Sequence, residues 1–128
     1  MASTDRLVGF VASSDLDSAR DFYGGVLGYE LRDELPHALV ATISGLELWI
    51  TKVDAGAAAP YTVLGFEVDD IEARVDEVAA MGVQFLSYDG MGQDARGIWT
   101  EPGGTRWAWF LDPEGNNLAF TQRATPKP

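Results

Sequence analysis

Two stretches decide the fold when set side by side: "VGFVASSDLDSARDFY", Val8 to Tyr23, and "VLGFEVDDIEARVDEV", Val63 to Val78. Each opens with an apolar run of strand character and turns at an acid, Asp15 or Asp70, followed by Leu16 or Ile71. Each then continues with apolar residues at helical spacing. The copies are 55 residues apart in a chain of 128, so they read as two halves of an internal repeat. In the first, Ser14 or Asp15 is a natural N-cap. Leu16, Ala19, Phe22 and Tyr23 share a face until Gly24, Gly25 and Gly28 end the helix. In the second, Asp69 or Asp70 caps a helix with Ile71, Val75, Val78 and Ala79 on one side, and Gly82 follows Met81 as the C′ glycine.

Working outward, strand candidates follow each helix. They are Tyr29–Arg32, Leu39–Ile43 and Leu46–Thr51 in the first half, and Val83–Tyr88, Ile98–Thr100, Arg106–Leu111 and Asn117–Gln122 in the second. Gly and Pro punctuate them. "DAGAAAPY", Asp54 to Tyr61, reads as the linker between halves. The expectation is a single α+β domain of two βαβββ repeats, about 6–53 and 61–122, each with one helix-covered sheet face.

Apolar residues make up 46% of the chain, and a domain of this size buries roughly two-thirds of its unfolded surface. No apolar run is long enough to span a membrane, and "MASTDRLVGF" lacks the pattern of a secretory signal. There is no cysteine, hence neither disulfide nor thiolate chemistry. The net charge of -11 repels phosphate backbones and disfavours nucleic acid. The expectation is a cytoplasmic protein with no nucleic-acid or membrane partner.

"SSDLDSARDFYGGVLGYEL" (Ser13–Leu31) and "FLDPEGNNLAF" (Phe110–Phe120), with "VLGFEVDDIEA" between them, resemble the vicinal oxygen chelate superfamily. That group includes glyoxalase I, extradiol dioxygenases, fosfomycin-resistance transferases and bleomycin-resistance proteins. The resemblance runs from about Arg6 to Gln122. It implies paired βαβββ modules whose sheets curl into an open, curved mixed β-barrel with helices outside. It also implies metal-ligand positions on the inner strand faces: Val8, Val63, Ala119 and Glu47 in this sequence. Three of the four carry no donor atom, and a catalytic divalent ion normally takes about three protein ligands. The resemblance therefore implies a member without metal or cofactor, and it implies a homodimer.

Strand alternation gives the expected lining. Val8 brings Phe10, Glu47 brings Trp49 and Thr51, and Val63 brings Gly65 and Glu67. Ala119 brings Thr121, and Trp107 and Trp109 share a face. Leu46, Leu48 and Ile50 are expected under the helices. Trp49, Trp107 and Trp109 read equally as a stacking surface and as ordinary packing; Trp99, in "GIWTEPGG", is expected at a loop rim. Glu47 in an apolar surround would have a raised pKa and suit a base or an amine partner; otherwise it is solvated or tied to an Arg. His37 reads as a solvated surface residue, and "GMGQDARG" as a loop over the site. Two functions follow. One is a metal-independent small-molecule binding protein of the bleomycin-resistance type, holding an aromatic or cationic drug-like ligand through Val8, Phe10, Glu47, Trp49, Val63, Trp99, Trp107, Trp109 and Ala119. The other is a glyoxalase-like isomerase or lyase with Glu47 as the proton-transfer base.

Overall fold

The computed structural model describes residues 4–34, 36–56 and 58–124; Ala57, within the expected linker, lies outside them. The chain forms two compact units, Met1–Ala58 and Ala59–Pro128. The first runs β1 (Val8–Ser13), α1 (Leu16–Ala19), a π-helical segment (Arg20–Val26), β2 (Glu30–Glu34), β3 (Ala38–Ile43) and β4 (Leu46–Lys52). The second runs β5 (Thr62–Glu67), α2 (Ile71–Ala80), β6 (Trp99–Thr100), β7 (Arg106–Leu111) and β8 (Asn117–Gln122). Sheet orders are β1-β4-β3-β2 and β5-β8-β7-β6, so the repeat predicted from sequence has one topology in both halves. Within each sheet the first strand pairs parallel with the last and the other pairs are antiparallel. The fold is α+β with two open four-stranded sheets, neither of which closes into a barrel.

The helix starts are near copies. Asp15 (φ -141, ψ 97) accepts from the backbone N–H groups of Asp17 and Ser18, and Asp70 (φ -139, ψ 95) accepts from that of Ala73. These bonds satisfy donors that the first turn leaves unpaired. The Ser18 backbone N–H, then its hydroxyl, hold the Asp15 carboxyl below its ordinary pKa. The first helix does not stop at Gly24, as the glycines suggest. It widens into π geometry, with Leu27 N–H donating to Phe22 O at 2.9 Å, five residues back. Two consecutive glycines cost an α-helix about 1 kcal/mol each, and the wider turn carries them while Phe22, Tyr23 and Leu27 stay buried.

In unit one the helical segment covers Leu48, Ile50, Leu39 and Ala41, all buried. Leu46, expected beside them, is 51% exposed. It pairs with Ile43 at the hairpin tip, past a two-residue turn in which Ser44 (φ 50) and Gly45 (φ 80) both have positive φ. In unit two, Phe66, Phe120 and Ala108 lie in one register row and Leu118 and Phe110 in the next. All are buried, as are Ile71, Val75 and Val78 of α2. The Phe110 and Phe120 rings stand 4.8 Å apart, and the Arg74 guanidinium of α2 sits 5.2 Å from the Phe120 ring.

The expected strand Val83–Tyr88 is absent as a strand. Its single bridge is Phe85 to Phe110, with Leu86 N–H donating to Trp109 O at 2.8 Å. The Gln93 side chain explains this. Its Oε1 accepts from Tyr88 N–H at 2.6 Å, and its Nε2 donates to Leu86 O and Gly97 O, each at 2.8 Å. Backbone groups that a ladder would need are bonded to a side chain instead.

Candidate functional site

The register places most of the nominated residues on the sheet faces turned away from the helices. In unit one, directly paired residues run Val8–Glu47–Thr42–Glu30, then Phe10–Trp49–Val40–Arg32, then Ala12–Thr51–Ala38–Glu34. Phe10 is 66% exposed and its ring lies 6.3 Å from that of Trp49. Val8 is exposed as well. Glu47 is not a carboxylate in an apolar surround. Its Oε2 accepts from Arg32 Nη1 at 3.1 Å and its Oε1 from the Trp49 indole N–H at 3.1 Å. Arg32, from β2, also stands 3.5 Å from Glu34. The Arg32 hydrogen bond, then that of Trp49, hold the Glu47 carboxyl below its ordinary pKa, and Glu47 raises that of Arg32. The expected raised pKa is corrected: donors to the charged form outweigh desolvation. Thr51 Oγ1 is buried with no hydrogen-bond partner and lines a shallow pocket of about 280 Å³ with Phe10, Ala12 and Val53.

In unit two the equivalent rows are Gly65–Ala119–Trp109 and Glu67–Thr121–Trp107–Trp99. Trp109 is the centre of an aromatic group. Its ring lies 6.4 Å from Trp107 at an interplanar angle of 9°, 6.4 Å from Trp99 at 30°, and 5.6 Å from Tyr88 edge-on. All three indoles are partly exposed. Trp99, inside the strand expected at Ile98–Thr100 and read as lying near its rim, stands in β6 opposite Trp107. Ala119 is fully buried beside Gly65 and Trp109, while Val63 is exposed at a register irregularity between Thr62 and Leu64. Glu67 is paired with Arg123 at 3.2 Å. Two residues escaped the sequence reading. Tyr88 lies in a segment read as a strand, and Glu101 accepts the Trp107 indole N–H at 3.1 Å. The Glu-Pro-Gly-Gly stretch after Trp99 marks a turn at Glu101 but carries no signal of the indole contact.

"DPEGN" is a closed turn, not a ligand loop. Buried Asp112 accepts from the N–H groups of Glu114 and Asn116 at 2.9 Å and from Asn116 Nδ2 at 2.8 Å. It fixes the β7–β8 register and so sets Ala119 against Trp109. His37 is exposed, and the loop Met91–Gly97 contributes to a groove of about 520 Å³ along α2. There Arg96 and Asp76 pair through two hydrogen bonds, 2.8 and 3.0 Å, so these two charges of the groove satisfy each other.

The four positions do not fit a metal ion of the kind the fold family implies. Val8, Val63 and Ala119 offer no donor, and Glu47 is committed to Arg32 and Trp49. Among the described residues no three His, Cys, Asp or Glu side chains gather into a group able to hold one.

A comparison with curated proteins finds no match. Among solved structures, the chain is similar to a glyoxalase/bleomycin resistance protein/dioxygenase from Alicyclobacillus acidocaldarius, with 20% identity, 95% of this chain and 93% of that one covered, and TM-score 0.71. It is similar to lactoylglutathione lyase from Agrobacterium tumefaciens, with 19% identity, 93% of each chain and TM-score 0.71. It is also similar to the fosfomycin resistance protein FosX from Listeria monocytogenes, with 15% identity, 94% of each chain and TM-score 0.74. These likenesses establish the fold. The family profile for the Glyoxalase/Bleomycin resistance protein/Dioxygenase superfamily matches residues 5–120, and the chain belongs to that superfamily.

Proposed function

We propose that this chain is a metal-independent small-molecule binding protein that takes flat aromatic ligands on the tryptophan-bearing sheet face of its second unit. The observation that carries the reading is Trp109 flanked by Trp107, Trp99 and Tyr88, with all three indoles partly exposed. Aromatic side chains offer large contact area at low entropic cost. Phe10 and Trp49 give unit one a smaller surface of the same kind. Binding needs no metal ligand and no base, which agrees with the residues at the four family positions. Superfamily members bind small molecules and often form dimers, and a homodimer is part of the proposal, since β1 and β5 are sheet edges within their own units. So is a cytoplasmic location; no helix among the described residues is long and apolar enough to cross a membrane.

The alternative, isomerase or lyase chemistry with Glu47 as base, draws less support. The similar structures include a lactoylglutathione lyase as well as a fosfomycin resistance protein. A carboxylate whose pKa is lowered by Arg32 is, however, a weaker base.

The test is a screen of planar aromatics by tryptophan fluorescence quenching, with the best hit repeated on Trp109→Ala and Trp49→Ala. Truncating a stacking aromatic removes about 1–3 kcal/mol, so Trp109→Ala should weaken binding roughly ten- to a hundred-fold. Equal binding by wild type and Trp109→Ala would place the ligand elsewhere. Turnover of dicarbonyl–thiol adducts or catechols that Glu47→Gln abolishes would put the enzyme first.

A further inference from the structure

We infer that Glu101 makes the indole group selective for flat organic cations. The inference rests on the reading of that face as the binding surface and names its ligand class. Glu101 follows β6 in a turn closed by two backbone bonds, Glu101 N–H to Thr105 O at 2.9 Å and Gly104 N–H to Glu101 O at 2.8 Å. The carboxylate is partly buried, and its Oε2 accepts the Trp107 indole N–H at 3.1 Å. A fixed negative charge thus stands at the edge of the tryptophan group.

Among the described residues no cation of its unit pairs with this carboxylate. Among the described residues every arginine of the second unit is paired with another acid: Arg74 with Glu77, Arg96 with Asp76 and Glu72, Arg106 with Glu72, and Arg123 with Glu67. Glu67, the other acid on this face, is cancelled by Arg123. Glu47, the acid the sequence singled out as an amine partner, is cancelled by Arg32. Glu101 is the carboxylate beside the indoles that no described arginine of its unit pairs. Indole faces attract cations more strongly than other rings do, and the carboxylate adds Coulomb attraction from the rim. The net charge of -11 draws cations toward the protein at low salt.

Two matched probes test this at pH 8, where acridine is uncharged: N-methylacridinium and acridine, each titrated by calorimetry. Wild type should bind the cation about tenfold more tightly than the neutral ring, the combined scale of one cation–π contact and one partly exposed ion pair. In Glu101→Gln the amide oxygen still accepts from Trp107, and the preference should fall to the roughly two- to fivefold that the cation–π contact alone supplies. As a readout that needs no variant, the preference in wild type should shrink with added salt while acridine binding holds. Equal affinity for both probes in wild type, with binding lost in Trp109→Ala, overturns the role of Glu101 and leaves the aromatic site standing. Failure of both probes to bind overturns both. A preference that stays at the full tenfold in Glu101→Gln assigns the selectivity to another group.

Discussion

Phe120→Ala is the sharpest test of how the tryptophan face is supported. Phe120 is fully buried on the helix side of β8, one residue from Ala119 and one register position from Trp107 and Trp109. Its ring meets Phe110 at 4.8 Å, Phe66 at 6.1 Å and Phe85 at 6.3 Å, with the Arg74 guanidinium at 5.2 Å. Truncating a buried phenylalanine costs about 3–5 kcal/mol. Three ring partners, each contributing about 0.5–1.5 kcal/mol beyond area, put this site in the upper part of that range. About 4 kcal/mol with a urea m-value of about 2 kcal/mol/M moves the midpoint down by roughly 2 M. Tryptophan emission is a suitable probe, since Trp99, Trp107 and Trp109 all lie in the second unit. The control is Phe10→Ala, a 66% exposed ring with one aromatic neighbour, expected to cost under about 1 kcal/mol. If the two variants shift the midpoint equally, or Phe120→Ala costs less than about 1.5 kcal/mol, the four-ring cluster is not what holds β7 and β8 in place.

Other outcomes follow from the same geometry. Gly97 has φ +89, and a Cβ there would stand 3.2 Å from Phe85 Cβ, whereas Gly92 has φ +75 and open space. Gly97→Ala should therefore cost about 2–3 kcal/mol and Gly92→Ala about 1 kcal/mol by thermal melting; equal costs would dismiss the Phe85 contact. The folded pKa of Glu47 is depressed, so its stabilising effect is complete above the unfolded carboxyl pKa and is lost as pH falls through the folded value. Glu47→Gln should thus flatten the acid side of the stability profile, roughly pH 5 to 3, and leave the neutral plateau parallel to wild type; an unchanged acid limb would mean the Arg32 pair is not made in solution. Elemental analysis after dialysis should give well under one transition metal per chain, and a tightly held stoichiometric ion would overturn the reading of Val8, Val63 and Ala119. Light scattering at roughly tens of micromolar should give twice the 13.9 kDa chain mass, and a strict monomer would count against the dimer.

What sequence reveals here tracks how local the determining interactions are. β7 and β8 were legible to the residue, because period-two alternation is bracketed by Asp112-Pro113-Glu114-Gly115-Asn116, a turn that closes on itself. The helix starts were legible for the same reason: Asp15 and Asp70 act on donors two or three residues away. Val83–Tyr88 misled because its apolar character is real, yet Gln93, five to seven residues on, takes its backbone groups. Alternation placed Glu47 and Trp49 on one face correctly. It could not supply Arg32, which reaches Glu47 from 15 residues away with β3 between their strands. Glu101 was missed because nothing in a turn sequence shows that an indole N–H will come to rest on it.

The two units deal with the positions that the sequence resemblance marks as ligand sites by different physics. In unit one the acid is kept. Val8 and Glu47 are paired neighbours, and the charge on Glu47 is balanced by a guanidinium and an indole N–H, so no ion is needed to offset its desolvation. In unit two no acid stands at the position. Ala119 lies between Gly65 and Trp109 in a register set by the Asp112 turn, and it is fully buried there. A carboxylate at 119 would enter an apolar row with no donor aimed at it, a cost of several kcal/mol unless it took up a proton. A methyl group at 119 and an indole at 109 are therefore one packing solution. The surface it leaves is aromatic, and Glu101 at its edge pairs with no described cation of its unit; on the proposed reading, ring area and the sign of that charge set its selectivity.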